Sequence, residues 1–243
     1  STVAIFIAGW ASNNRFAMFG AARGVAVLIS YEIPLVLCVL GVVLVAGSMS
    51  LADVVAAQTV PFLLVQPLAL FVFLAGTSAE LNRTPFDVAE AESEIIAGYH
   101  IEYSGVKFAL IQAAEFGATL VAGALIVTFF LGGWSGPASN YIGWLWFLLK
   151  LGGVVFAFIW VRATYPRLRI DQLMAFSWKI LVPLSFANLM LTGFYVFYDW
   201  PWWTISTASI VMILGTSYEI RRRLRRPTGT LPLPQPLPRP GGA

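Results

Sequence analysis

Long apolar segments alternate with short polar ones along most of this 243-residue chain. A helix of roughly 20 apolar residues crosses a hydrocarbon layer about 30 Å thick. Six segments reach this length and predict six full membrane-spanning helices, at about 25–47, 60–80, 107–131, 142–162, 178–199 and 203–220. The apolar segment 3–10 is too short to span, and we interpret it as an N-terminal helix stub whose beginning is missing. The pattern predicts an all-α fold, a polytopic integral membrane helix bundle.

Basic residues occur in every second loop of this arrangement. Arg and Lys lie before the first predicted span, between the second and third, between the fourth and fifth, and after the sixth, whereas loops 48–59, 132–141 and 200–202 have neither. Because Arg and Lys are enriched in cytoplasmic loops, the basic loops and the C-terminus are predicted to face the cytoplasm. Residues 1–220 then form a single transmembrane domain. Residues 221–243 form a basic and then Pro-rich tail, predicted to be disordered, whose basic cluster anchors the topology at anionic lipid or, alternatively, docks a partner.

The composition agrees with a membrane protein and limits the chemistry. Hydrophobic residues make up 58% of the chain and charged residues 11%, whereas soluble domains have roughly 25% charged residues. With one cysteine, Cys38, and one histidine, His100, the chain lacks the ligand spacing of a zinc, haem or iron–sulfur site. It also lacks a glycine-rich nucleotide-binding fingerprint. We therefore expect no metal and no redox cofactor on this chain, and nucleic acid is not an expected partner.

Three carboxylates fall within predicted spans. Glu32 and Glu115 lie about two turns inside their spans, and Glu80 lies at the end of another, all on the cytoplasmic side. For Glu80 alone, a helix end that reaches water is the simpler interpretation. A Glu side chain is too short to reach water easily from two turns inside. Since ionisable groups inside a membrane are costly, we expect Glu32 and Glu115 to be functional and to take up and release protons.

The loop 81–106 that joins the second and third spans is rich in acids. Its bases are Arg83 and, at the start of the next span, Lys107. Its acids are Asp87, Glu90, Glu92, Glu94 and Glu102. A solvated acidic surface is the simpler interpretation of such a run. The loop also contains aliphatic and aromatic residues, so we favour a folded loop that packs against the membrane and whose acids form a polar funnel towards the intramembrane carboxylates.

Lys150 is the remaining charge inside a predicted span, about two turns from its outer end. It could extend outward to water, as long basic side chains do. The alternative is an ion pair or a proton-relay partner for a carboxylate. Prolines within spans, at Pro34, Pro67 and Pro183, either kink helices around a cavity or are tolerated in ordinary packing.

Three blocks of this sequence resemble a known family. They read GWASNNRFAMFGAARGVAVLISYE over 9–32, ELNRTPFDVAEAESEIIAGYHIEYSGVKFAL over 80–110, and FIWVRATYPRLRIDQLMAFSWKILVPL over 158–184. They are similar to the H subunit of bacterial NADH:quinone oxidoreductase, respiratory complex I, whose mitochondrial counterpart is subunit 1. The resemblance covers almost all of residues 1–199, and RTPFD followed by AESE and YHIEYSG is a very specific match.

The resemblance implies a membrane subunit at the junction of the redox arm and the proton-pumping arm. In that family the subunit forms part of the quinone tunnel and an acidic funnel that couples quinone reduction to the pump modules. The matching funnel positions here are Glu32, Glu80, Arg83, Glu90, Glu92, Glu94, Glu102 and Glu115, with Asp87 in the same loop. Quinone is the implied substrate, and NADH, FMN and iron–sulfur clusters are expected on partner subunits.

The resemblance also implies the surroundings of the chain. Its expected partners are peripheral iron–sulfur and quinone-site subunits, small membrane subunits of the pump arm, and lipid, in a bacterial inner (plasma) membrane. The family's N-terminal helix, its amphipathic surface helix and its paired arginines at the quinone entrance have no match here, so we expect that the N-terminal part is missing. The predicted helix 203–220 and the Pro-rich tail lie outside the resemblance.

Two other functions remain open from the residues. One is the homologous membrane subunit of a hydrogenase or a ferredoxin-linked ion pump, which need not bind quinone. The other is a free-standing ion transporter, a class that often has inverted internal repeats. We find no such repeat, and the YHIEYSG and RTPFD matches favour the quinone-linked enzyme.

Overall fold

The chain forms a helical bundle, described here from a computed structural model over residues 2–81, 86, 102–136, 139–164, 169–198 and 200–225. These residues form nine helices and no β-strand. The helices are α1 Thr2–Ala11, α2 Arg15–Ala46, α3 Leu51–Ala57, α4 Phe62–Val65, α5 Pro67–Glu80, α6 Val106–Phe130, α7 Ser139–Thr164, α8 Ile170–Tyr198 and α9 Trp202–Arg225.

Four helices of the described chain are long and apolar enough to cross a membrane. They are α2, α6, α8 and the part of α7 from Tyr141 onward, and α1 and α5 are apolar but shorter. The prediction of an all-α membrane helix bundle is thereby confirmed. The number of spans stays a prediction, because α9, at the position of the predicted sixth span, is not among the four.

The predicted span 60–80 is interrupted in the structure. Helix α4 ends at Val65, Gln66 has non-helical backbone angles (φ −128°, ψ 64°), and α5 begins at Pro67. Pro67 has no backbone N–H to continue the hydrogen-bond ladder, and its ring disfavours a helical conformation in the residue before it. The sequence therefore contains the cause of the break, although the apolar run alone predicts one continuous helix.

Helix α2 lies at the centre of the bundle and packs against α1, α5 and α8. Tyr31 on α2 is fully buried, and its hydroxyl donates a hydrogen bond to Leu173 O at 3.0 Å. The Ser177 hydroxyl donates to Ser30 O at 2.6 Å, and Trp178 Nε1 donates to the Ser30 hydroxyl at 3.2 Å. Ser177 begins a π-helical segment of α8, Ser177–Leu181. Such single π-helical turns within α-helices occur frequently at functional sites.

The turn between α1 and α2 is fixed by small residues and by a capping side chain. A Cβ added at Gly9 would overlap Ala21, so the two helices approach closely where their side chains are smallest. Asn14 is the N-cap of α2, and its side-chain oxygen accepts a hydrogen bond from Phe16 N at 3.0 Å. Asn is among the preferred N-cap residues because it satisfies a backbone N–H that has no partner within the helix.

Candidate functional site

An apolar cavity of about 860 Å³ lies between α2, α5 and α6 and is open on one side. Its charged lining side chains are Glu32 and Glu80, and Thr77 adds a hydroxyl. The remaining lining residues are Leu35, Val36, Val39, Leu40, Val43, Met49, Phe73, Leu81, Ala114, Ala118, Val121, Ala122, Leu125 and Phe129. The site therefore combines a large hydrocarbon surface with two carboxylates.

Helical periodicity explains which residues line the cavity. On α2 the lining positions from Glu32 to Val43 recur at intervals of three and four residues, and the α6 positions from Ala114 to Phe129 do the same. Residues at these intervals share one face of a helix. On α5 the positions 73, 77 and 80 form the third face. The cavity is thus built where one face of each of these three helices meets the other two.

The antiparallel packing of α2 and α5 brings two of the predicted carboxylates together. A Cβ at Gly76 would meet the Leu35 side chain, which places the C-terminal turns of α5 beside the N-terminal half of α2. Glu80 lies one turn after Gly76 and Glu32 nearly one turn before Leu35, so both lie at the same end of the cavity. The two side chains are close enough to interact electrostatically. Both are exposed on this chain, whereas the sequence led us to expect that Glu32 is buried.

Glu115 lies beside this site but not in its lining. It follows Ala114, which does line the cavity, and its side chain is half-buried on α6. Its backbone oxygen accepts a hydrogen bond from the Thr119 hydroxyl at 3.0 Å. Glu115 is thus next to a cavity-lining residue on α6 but does not itself line the cavity.

Glu102 is held by a residue that the sequence analysis did not single out. Asn14 Nδ2 donates a hydrogen bond to Glu102 Oε1 at 2.9 Å, while the oxygen of the same amide caps α2. One residue further on, the Tyr103 hydroxyl donates to Ala8 O at 3.0 Å. The end of the acidic segment is therefore attached to the α1–α2 turn. The preference for Asn at a helix N-cap was the available signal for Asn14, but it does not reveal the contact with Glu102.

Five predicted funnel residues lie outside the residues that the structure describes. They are Arg83, Asp87, Glu90, Glu92 and Glu94. Their part in the funnel stays a prediction.

Lys150 contacts backbone carbonyl groups. Its ammonium group donates to Leu131 O at 2.7 Å, Gly133 O at 3.1 Å and Ser135 O at 2.7 Å. These carbonyls follow the C-terminus of α6, where unpaired carbonyls and the helix dipole favour a cation. Gly132 and Gly133 have positive φ angles of 72° and 51°, a conformation that glycine adopts readily and that curls this loop around the ammonium group. The contacts give Lys150 a structural role, and the relay role stays a prediction.

Within the described ranges, no group of three or more His, Cys, Asp or Glu side chains is arranged to hold a metal ion. The cavity's own polar groups are oxygen atoms of carboxylates and a hydroxyl. Such groups can exchange protons and can orient a polar ligand by hydrogen bonds.

Comparison with known proteins identifies the family. The family model described as NADH dehydrogenase matches residues 1–193. The chain belongs to the NADH dehydrogenase family. The match covers α1 to α7 and most of α8, including every helix that lines the cavity, whereas α9 lies beyond it.

Individual members of the NADH dehydrogenase family give the same result. The H subunit of NADH-quinone oxidoreductase from Dehalococcoides mccartyi is 55% identical over 194 residues, which are 80% of this chain and 54% of that protein. The H subunit from Geobacillus kaustophilus is 54% identical over 198 residues, which are 79% of this chain and 59% of that protein. The H subunit from Carboxydothermus hydrogenoformans is 46% identical over 196 residues, which are 79% of this chain and 56% of that protein. The resemblance to the H subunit is thereby confirmed. The chain spans little more than half the length of these relatives.

Proposed function

We propose that this chain acts as the H subunit of a proton-translocating NADH:quinone oxidoreductase, in which it forms part of the quinone-binding cavity and of the acidic relay that couples quinone reduction to proton pumping. The observation that carries the proposal is the apolar cavity with Glu32 and Glu80 at one end. The names and the identity of the relatives support the assignment to this enzyme.

The chemistry of the cavity suits a quinone. A quinone has a polar head with two carbonyl oxygens and an apolar isoprenoid tail, so it needs a hydrocarbon surface with few polar groups near one end. A volume of about 860 Å³ lies within the range typical of small-molecule sites, roughly 300–1,000 Å³. The apolar faces of α2 and α6 would contact the tail, and the end with the carboxylates would accept the head.

The two carboxylates would serve as proton carriers. Reduction of a quinone to a quinol consumes two electrons and two protons, so charge at the head changes during each turnover. Carboxylates within electrostatic range respond to such a change by taking up or releasing protons. In this proposal Glu32 and Glu80 are the first members of the relay, and Glu115 and the loop acids continue it.

The electrons would come from other chains. In the described part of this chain no group of three or more His, Cys, Asp or Glu side chains could hold a metal ion, and the relatives' names denote one subunit of an oxidoreductase. NADH, FMN and iron–sulfur clusters would be bound by partner subunits of the peripheral arm, and small membrane subunits would join this chain to the pump. The proposed location is a bacterial inner membrane with the C-terminus in the cytoplasm.

Substitution of the cavity carboxylates tests the proposal. Glu80→Gln and Glu32→Gln keep the shape and hydrogen-bonding ability of the side chain but cannot carry a proton. We expect the rate of quinone-linked proton pumping in membrane vesicles to fall about tenfold or more, with normal assembly of the complex. Asp53→Asn is the control, because Asp53 is an exposed carboxylate on α3 that does not line the cavity.

Two measurements in the same vesicles separate the possible results. Quinone reduction and proton uptake are followed together, with the level of the chain matched by blotting. If both glutamine variants pump at the rate of the Asp53→Asn control, the carboxylates are structural and the proposed relay is wrong. Loss of proton uptake with retained quinone reduction would place the two residues in the coupling step.

A further inference from the structure

A group of buried polar side chains lies at the break between α4 and α5, apart from the carboxylate cavity. Gln66 occupies the break, and Asn188 and Thr192 lie one turn apart on α8; all three are fully buried. A Cβ added to Gly41 of α2 would lie 3.5 Å from Asn188 Nδ2 and 3.8 Å from Thr192 Oγ1. It would lie 4.0 Å from Gln66 Oε1. The break and two helices thus bring three polar side chains to one point.

The hydrogen bonds within this group use only part of its capacity. Gln66 Nε2 donates to Thr192 Oγ1 at 3.3 Å and to Gly41 O at 3.5 Å. The Thr192 hydroxyl in turn donates to Asn188 O at 2.8 Å. Among the described residues, Gln66 Oε1 and both polar side-chain atoms of Asn188 have no hydrogen-bond partner. Two acceptors and one donor therefore converge, fully buried, with nothing from the described chain to satisfy them.

The mixture of donor and acceptor identifies the ligand. Buried polar atoms without partners are strongly unfavourable, and reversal of the amide of Asn188 does not help, because its nitrogen and its oxygen both lack a partner. A cation would satisfy the oxygens but would leave Asn188 Nδ2 unpaired, and this group includes no carboxylate to balance its charge. Water both donates and accepts, and buried water makes two to four hydrogen bonds to polar groups of this kind.

We propose that Gln66, Asn188 and Thr192 form a buried water-binding site at the helix break. The absence of a side chain at Gly41 leaves the space that the water occupies. Bound water would donate to Gln66 Oε1 and Asn188 Oδ1 and accept from Asn188 Nδ2. This proposal is independent of the quinone assignment, because none of these residues lines the carboxylate cavity.

The location explains why such a site is useful. Pro67 cannot donate a backbone hydrogen bond, so the helix is interrupted inside a predicted span. In a hydrocarbon environment, backbone groups freed at a break are satisfied by neighbouring helices, by side chains and by ordered waters. The water site would join the break to α2 and α8 and so stabilise a broken helix in the membrane.

A glycine pair provides a matched test of stability. Gly41→Ala adds a methyl group at ordinary contact distances from the polar atoms, and this methyl group takes up space beside them that the proposed water needs. Gly193→Ala adds the same group on α8, where, apart from the neighbouring residues and backbone of its own helix, no atom lies within 4 Å. We expect Gly193→Ala to leave the thermal midpoint of the purified full chain unchanged or slightly raised, since Ala favours helix, and Gly41→Ala to lower it. Equal midpoints for the two variants would overturn the proposal.

Combination with a second substitution keeps the test decisive if Gly41→Ala simply disturbs the packing. Asn188→Leu replaces the amide by an apolar side chain of similar size and removes two of the three atoms that need water. We therefore expect Gly41→Ala to be much less destabilising in the Asn188→Leu chain than in the unmodified chain. If the two effects simply add, the methyl group acts by steric strain and the water site is wrong.

Magnetisation transfer from water detects the ligand directly. The full chain, labelled with ¹⁵N in asparagine and reconstituted in liposomes, is examined by water-edited solid-state NMR. We expect rapid transfer from water to the side-chain amide of Asn188, which is assigned by its loss in Asn188→Leu, and loss of this transfer in Gly41→Ala. No transfer to Asn188 would indicate a direct bond between the two amides. A shift of the Asn188 amide on replacing K⁺ by Na⁺ would indicate a cation; either result overturns the proposal.

Discussion

Asn14 and Glu102 are joined by a hydrogen bond across 88 positions of sequence, with Asn14 Nδ2 as the donor and Glu102 Oε1 as the acceptor at 2.9 Å. Because the oxygen of the same amide caps α2, one side chain fixes both the start of the central helix and the end of the acidic segment. Glu102, the last acid of this segment, is therefore attached to the bundle through a residue that has no charge.

Substitution of Asn14 separates these two contributions. Asn14→Ala removes both, and loss of an N-cap side chain lowers the free energy of unfolding by about 1 kcal/mol. Asn14→Asp retains the capping oxygen but places a carboxylate against Glu102. We expect the Asn14→Asp variant to keep the stability of α2 and to release Glu102. Denaturant unfolding in detergent micelles measures the stability, and protease sensitivity near residue 102 measures the release.

A second substitution checks the cause. In the Asn14→Asp chain, Glu102→Gln restores a donor opposite the new carboxylate, so protease resistance should return. Continued sensitivity in that double variant would mean that the Asn14–Glu102 contact does not hold the segment.

Substitution of Lys150 separates a structural role from a relay. Lys150→Met removes a cation that donates to three backbone carbonyls and leaves them without that donor. Since a hydrogen bond to a charged group contributes about 1.5–3 kcal/mol, we expect the free energy of unfolding to fall by about 2 kcal/mol or more. Lys179→Met, at an exposed position of α8, is the control and should change stability little.

The relay hypothesis predicts a different outcome for the same variants. A lysine that acts only in proton transfer would lose pumping at unchanged stability. Lys150→Arg keeps the positive charge and the N–H donors but arranges the donors differently. If the carbonyl contacts matter, this variant should be more stable than Lys150→Met and less stable than the unmodified chain. Equal unfolding curves for Lys150→Met and the unmodified chain would contradict the structural role.

The helices that the sequence predicts well are those with uninterrupted apolar runs. The runs at 107–131 and 142–162 differ by only a few residues from α6 and α7, because the helix ends there coincide with the polar boundaries. The cavity-lining face of α2 cannot be recognised in the sequence, because the residues after Glu32 are apolar on every side of the helix. Which helix faces meet, and the packing that brings Glu32 and Glu80 to one cavity, needed the structure.

The features that the sequence does not predict depend on groups that lie far away in the sequence. The partner of Gln66 on α8, Thr192, is 126 positions away, so its polar environment cannot be recognised from the apolar run around it. Likewise, an intramembrane lysine usually suggests a carboxylate partner. The acceptors of Lys150 are carbonyls that only a curled backbone after α6 presents, and no side-chain pattern encodes them.

Filling the cavity tests whether it holds the quinone. Ala118 lines the cavity from α6, and Ala118→Phe would place an aromatic ring within it. We expect the KM for quinone in membrane vesicles to rise about tenfold, since a ligand excluded from part of its apolar site loses on the order of 1–3 kcal/mol. Ala113→Phe is the matched control, because Ala113 is exposed on the same helix and lies outside the cavity lining.

The pair of alanine variants distinguishes binding from general damage. An increase in KM for Ala118→Phe alone, with kcat retained, supports a quinone in this cavity. Equal kinetics for the two variants would show that quinone binds elsewhere, and the cavity would then be occupied by lipid or by a partner subunit.

The broken helix pair α4–α5 decides the topology of the whole chain. Residues 62–80 would extend roughly 28 Å if α4 and α5 lay in line, which is close to the thickness of a hydrocarbon layer. If the pair crosses the membrane despite the break, Asp53 and Ser135 lie outside and Asp171 lies in the cytoplasm, as the distribution of Arg and Lys predicts. If it does not cross, Asp53 and Ser135 lie on opposite sides.

Cysteine labelling distinguishes these arrangements. Cys38 is buried, and Cys38→Ala provides a background in which single cysteines are introduced by Asp53→Cys, Ser135→Cys and Asp171→Cys, all at exposed positions. An impermeant maleimide added to intact cells should label the first two variants and spare the third, and inside-out vesicles should give the reverse pattern. Labelling of only one of Asp53→Cys and Ser135→Cys from outside would mean that α4 and α5 return to the same surface. In that case the water site at Gln66 would lie in a re-entrant segment, and the six-span arrangement would be wrong.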